Sequence, residues 1–119
     1  MPSTGSIVLT GGQLSDRPTG DGVSAIAAAV RGIEALARSL ALELKPVRVN
    51  VVSPGFVETP LFDVLGAQAR TALLTQVAAA LPGRRIGRAQ EVAEAITFLL
   101  GNAYLNGEVL HVDGAGRFV

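Results

Sequence analysis

Few side chains in this 119-residue sequence could perform chemistry, and their types narrow the choice. There is one histidine, His111, one tyrosine, Tyr104, and no cysteine. Without cysteine there is no thiol nucleophile, no disulfide framework and no cysteine-type zinc centre. A single histidine excludes a two-histidine metal site and leaves little room for a Ser-His-Asp triad. His111 alternates with Leu110 and Val112, which reads as a packed or edge residue of a strand, so no metal ligand is expected. Arg84, Arg85 and Arg88 form a basic cluster, read as a solvated loop face with phosphate contact as the alternative. Ten basic and ten acidic side chains give zero net charge, and 4% of residues are aromatic. A nucleic-acid groove needs a basic field and stacking rings, so no nucleic-acid partner is expected.

These groups must be held by elements, and the hydrophobic pattern shows which. Ser6 to Thr10 is a short apolar run ended by Gly11-Gly12, a buried strand followed by a turn. Gln13 to Gly22 has the Gly, Pro, Asp and Ser content of a loop. From Ser24 the period turns helical: Ile26, Val30, Ile33, Ala37, Leu40 and Leu44 trace a stripe. Arg31, Glu34, Arg38 and Glu43 fall off it, with Glu34 and Arg38 spaced as an ion pair. Lys45-Pro46 stops the helix. Val47 to Val52 is a second strand, closed by Ser53-Pro54-Gly55. Thr59-Pro60 opens a helical region, Thr59 as cap, and Leu61 to Leu81 reads as two irregular helices broken at Gly66. Ala89 to Leu100 is a further helix with Val92, Ile96, Leu99 and Leu100 on one face. Asn106-Gly107 turns the chain into a third strand, Glu108 to Val112. Strand, helix, strand, helices, strand implies parallel strands joined by right-handed crossovers, an α/β architecture. The Met1 to Ser6 start has no basic region before an apolar stretch, and no apolar run is long enough to span a bilayer. A cytoplasmic chain with no membrane partner is therefore expected.

Several segments, taken in order, resemble the C-terminal half of the short-chain dehydrogenase/reductase family. They are Glu34 to Leu44; Arg48 to Gly55 running on through Phe56 to Pro60; Gly87 to Ala93; and Asn106-Gly107 to Val112-Asp113-Gly114. The match runs in register from about Gly5 to Asp113. It implies a partial Rossmann-type doubly wound fold, three parallel strands with crossover helices, as a single half-domain over residues 1–119. It also implies NAD or NADP as cofactor. The family's glycine-rich dinucleotide fingerprint belongs to an N-terminal half that these residues do not match. Gly11-Gly12 with Gly20-Asp21-Gly22 has the wrong spacing to replace it.

The resemblance further implies a catalytic serine and a YxxxK pair. Their positions fall on Gly12 (or Gln13, allowing for loop length), Ile26 and Val30. None of these three can donate a hydroxyl, exchange a proton or carry an ammonium group, so no catalytic residue is assigned. Tyr104, Thr10 and Ser24 are the candidates for a relocated donor. For the cofactor, the resemblance places Pro54, Gly55 and Val57 along the nicotinamide and Thr59 at a phosphate. A plain turn and a helix cap explain the same residues without a ligand. A bare strand edge and the family's habit of associating through its long helix and last strand imply a homo-oligomer, or pairing with an N-terminal half. Two functions follow: a dehydrogenase/reductase-type chain without the standard catalytic groups, or a non-catalytic pseudoenzyme or oligomerisation module on the same fold.

Overall fold

A computed structural model describes residues 4–119. Its centre is a three-stranded parallel sheet in the order β1-β2-β5. β1 is Ser6–Thr10, β2 is Arg48–Pro54 and β5 is Val109–Val112. Ser6 lies opposite Arg48 and Thr10 opposite Val52; on the other side of β2, Val51 faces Val109 and Pro54 faces Val112. The helix α1, Ser24–Glu43, crosses from β1 to β2. The return from β2 to β5 runs through α2, Ala67–Ala80, and α3, Ala89–Gly101. The expected three parallel strands with crossover helices are all present.

β2 is the centre of the core because it alone has a strand on each side. Val49, Val51 and Val52 are fully buried. Its pleat divides the two faces. Val49 and Val51 pack with Ala37 and Ala41 of α1, alongside Ile7, Leu9 and Val109. Arg48 and Asn50 point the other way and reach the end of α3, where Asn50 Nδ2 donates to the Leu105 carbonyl at 3.0 Å. Leu99 is the fully buried side chain of α3. Leu100, expected on the same face, is exposed instead.

The helical stripe of α1 is rotated from the one the large aliphatics trace. Val30, Glu34, Ala37 and Ala41 lie four, three and four residues apart and turn toward the sheet. Small alanines at the closest approach let the helix sit low on β2, and this selects the phase. Two expectations are corrected by it. Glu34 is 1% exposed rather than solvated, and its partner is Arg31 at 2.7 Å, not Arg38. Ile26, at the start of the stripe, is 54% exposed.

The sequence pattern also passes over a second, minimal sheet. β3, Val57–Glu58, pairs in parallel with β4, Gly87–Arg88. Two-residue strands carry no periodicity, so only the fold reveals them. The ladder ties the segment after β2 to the N-terminus of α3. There the Arg88 N–H donates to the Glu91 carboxylate at 2.8 Å, one half of a capping box.

Candidate functional site

Ligand sites in parallel sheets form beyond the carboxyl ends of the strands, where the loops diverge. Here those loops are Gly11–Ser15 after β1, Pro54–Val57 after β2 and Asp113–Arg117 after β5. The last loop is fixed by Asp113. Its carboxylate accepts from the Ala115 N–H at 3.1 Å and the Arg117 N–H at 3.3 Å, and from the Arg117 guanidinium at 2.8 Å. Burial pushes the Asp113 pKa up, but the Arg117 contacts and the two amides outweigh it and hold the group below the usual carboxylate range.

The three loops meet at Gly55. A Cβ there would stand 2.7 Å from Gln13 Oε1 and 2.7 Å from Asp113 Cβ. Gly116 approaches the same amide: a Cβ there would stand 2.6 Å from Gln13 Oε1. Gln13 is thus wedged between the loops after β2 and β5. Its buried Oε1 finds no hydrogen-bond partner among the described residues. Sequence reasoning met Gln13 only as the alternative to Gly12, because contacts to residues 55 and 116 leave no local signal.

A cleft of about 640 Å³ opens beside this junction, bounded by Gln13, Pro54, Gly55, Phe62, Leu73 and Val77. Phe56 and Phe62 stack with ring centroids 6.3 Å apart. Its wall is mainly hydrocarbon, with Gln13, Arg17, Thr19 and Gln76 as the polar side chains. A second hollow of about 480 Å³ lies across Phe56 and Leu81, and is lined by Val57, Arg85, Glu91, His111 and Asp113 among others. Arg85 closes bidentately on Glu91 at 2.6 and 2.9 Å. That hydrogen-bonded pair, with the Arg88 N–H, draws the Glu91 pKa down to about 2.

The residues singled out from sequence separate in space. Pro54 and Gly55 border the apolar cleft, whereas Val57 faces the second hollow. Thr59 stands at the cap position of the 3-10 turn Pro60–Leu65, but its hydroxyl makes no capping bond. The expected side-chain cap is therefore absent. Val30 lies over the loop after β1, its methyl groups 3.8 Å from where a Cβ on Gly11 or Gly12 would stand. Tyr104 is 98% exposed and borders a shallow hollow with Pro46 and Arg48 at the opposite end of the sheet. Thr10 and Ser24 are exposed.

The profile of the family described as enoyl-(acyl carrier protein) reductase matches residues 1–115. The chain belongs to the short-chain dehydrogenase/reductase family. It is 40% identical over 114 residues to the 3-oxoacyl-[acyl-carrier-protein] reductase FabG of Escherichia coli K12, covering 92% of this chain and 45% of that protein. Similarity to the short-chain dehydrogenase/reductase ATR9 of Stachybotrys chlorohalonatus is 38% over 114 residues, 96% of this chain and 44% of that one. A crystal structure of a small-chain dehydrogenase in complex with NADPH superposes with a TM-score of 0.93 at 34% identity, over 100% of this chain and 54% of the other. The chain thus spans about half the length of these short-chain dehydrogenase/reductases. Among the described residues, no helix is long and apolar enough to cross a membrane.

Proposed function

We propose that this chain forms the nicotinamide side of a short-chain dehydrogenase/reductase cleft and supplies no Ser-Tyr-Lys proton relay. One observation carries the reading: Ile26 and Val30, one turn apart on α1, are hydrocarbons, and Val30 lies against Gly11 and Gly12. No group of that set can hold or transfer a proton. The cofactor fits this chain in part. Gln13 offers a buried amide oxygen without a partner among the described residues, beside Gly55, chemistry suited to a carboxamide. The uncapped Thr59 hydroxyl stands free at the start of a helical turn, suited to an anion. No acidic side chain ends β2 to hold a ribose; Ser53-Pro54-Gly55 stands there. Bound NAD(P)H would supply a hydride; this chain's residues would position one end of it and keep water from that end.

Fluorescence titration of the full chain with NADH and with NADPH tests the reading, followed by turnover with ketones, alcohols and a 3-oxoacyl thioester. Weak saturable binding, reduced several-fold in Gln13→Ala, and no turnover are expected. Turnover at a rate ordinary for enzymes overturns it. A second reading, a pseudoenzyme or oligomerisation module, is favoured by one feature: Leu36 and Leu42 of α1, and Leu44 just after it, are exposed. On either reading the chain associates with a second copy or with an N-terminal half, and is cytoplasmic.

A further inference from the structure

Beneath the loop after β1, four side chains from three separate segments converge on one spot. Glu34 descends from α1 toward the sheet and is 1% exposed. His111 comes from β5, opposite Ser53 in the ladder. Asp16 folds in from the end of the Gln13–Ser15 turn, with its Oδ2 3.2 Å from His111 Nε2. A ligand atom from each of Asp16, Glu34 and His111 lies within 4.8 Å of the others. Arg31 grips the outer side: one guanidinium nitrogen donates to Glu34 Oε2 at 2.7 Å, the other to Asp16 Oδ1 at 3.3 Å and to the Ser15 carbonyl at 2.8 Å.

This cluster is incompletely satisfied. Glu34 Oε1 is buried and has no partner among the described residues, and neither have Ser53 Oγ or Ser15 Oγ. Leaving a buried carboxylate oxygen unpaired is costly, so such a group needs a cation, a donor or water. Arg31 binds one oxygen of each carboxylate. The remaining oxygens, Asp16 Oδ2 and Glu34 Oε1, are left for the imidazole side. That division of labour is the one seen around metal ions, where an outer donor fixes the ligating carboxylates. Two carboxylates against one guanidinium leave a net negative charge when the imidazole is neutral. One nitrogen and two oxygens suit a borderline divalent cation rather than magnesium or calcium, which prefer all-oxygen shells. Zinc bonds of about 2.0–2.2 Å set tetrahedral ligand atoms roughly 3.3–3.5 Å apart. The His111–Asp16 pair, at 3.2 Å, already has nearly that spacing, and Glu34, whose ligand atom lies within 4.8 Å of both, would draw closer on binding.

We propose that Asp16, Glu34 and His111 form a binding site for a divalent cation of the zinc class, with Arg31 as the outer group that orients the carboxylates. The site ties α1, the loop after β1 and β5 together under the cleft. The test uses the full chain stripped with a chelator and titrated calorimetrically with Zn²⁺, and separately with Co²⁺ followed by its visible absorption. One saturable equivalent is expected, with a cobalt spectrum of low coordination number. Glu34→Gln keeps the shape and should abolish saturable binding; His111→Ala should do the same. Arg31→Gln should weaken it by about 10- to 100-fold. If circular dichroism shows that the buried Glu34 or His111 variant fails to fold, Asp16→Asn, on the outer loop, carries the same expectation. A folded wild-type chain that binds no zinc shows that water meets the orphan oxygens, and overturns the site. Undiminished binding in folded Glu34→Gln or Asp16→Asn overturns it too, as does equal affinity for Mg²⁺.

Discussion

At position 55 a Cβ would stand 2.7 Å from Asp113 Cβ and 2.8 Å from Asp113 Cα. The Gln13 amide on the other side could swing away, but Asp113 is held by the Gly116 N–H on its carbonyl and the Ala115 and Arg117 N–H groups on its carboxylate. Gly55→Ala should therefore cost about 1–3 kcal/mol, the usual scale of overpacking. A lower denaturation midpoint with an unchanged slope would show it; an unchanged midpoint would mean the loop yields. Glu91 gives a second expectation. Its carboxyl falls from an ordinary 4.5 to about 2 in the folded chain because Arg85 and the Arg88 N–H favour the anion. A depressed pKa stabilises the fold above the unfolded value and loses that contribution as pH drops. The Arg85–Glu91 link should therefore persist at neutral pH and fade between about 4.5 and about 2. Side-chain carbon NMR should give a midpoint near 2 for Glu91 in the folded chain, and a higher one in Arg85→Ala, still below the ordinary value because the Arg88 N–H remains bonded to the anion.

Among the elements, α3 depends on a residue that is not its own. The Arg48 guanidinium, from the start of β2, donates to the carbonyls of Leu99, Leu100 and Asn102 at the helix's C-terminal end. A cation there meets both the orphan carbonyls and the negative end of the helix dipole. Arg48→Ala should cost about 1–3 kcal/mol, with faster amide exchange confined to residues 99–105 at first. Arg48→Lys should recover only part, since an ammonium group lacks the planar fork. The example also marks what could be read in advance. The strands Ser6–Thr10 and Val109–Val112 and the helices from Ser24 and Ala89 were legible because periodicity and turn residues are local signals. The resemblance could single out Pro54 and Gly55 for the same reason: the motif is contiguous. The Arg48 cap, the Gln13 wedge and the burial of Glu34 were not legible. Each joins residues far apart in the chain, and the phase of α1 was chosen by close packing of Ala37 and Ala41 rather than by the largest side chains.

For the whole molecule, the sheet's arrangement leaves work undone. Parallel sheets are normally flanked and covered, yet β1 pairs with β2 alone among the described residues. The outer sides of α1 add exposed hydrocarbon: Ile26 at 54%, Leu36 at 49% and Leu42 at 74%. Burying one leucine is worth about 1.5–3 kcal/mol, and each 1.4 kcal/mol changes an association constant tenfold. A surface of this kind should bring two copies together at micromolar concentration. Sedimentation equilibrium should then return a mass above that of one chain, and Leu42→Glu should weaken association about tenfold or more, since the substitution enters from both partners of a symmetric pair. A compact, stable monomer at that concentration would instead overturn self-association and leave the free edge of β1 to a partner other than a second copy. In that case the exposed leucines of α1 would have to be explained by a different partner, and adding a separately expressed N-terminal half of a related reductase would be expected to capture the chain where a second copy of itself does not.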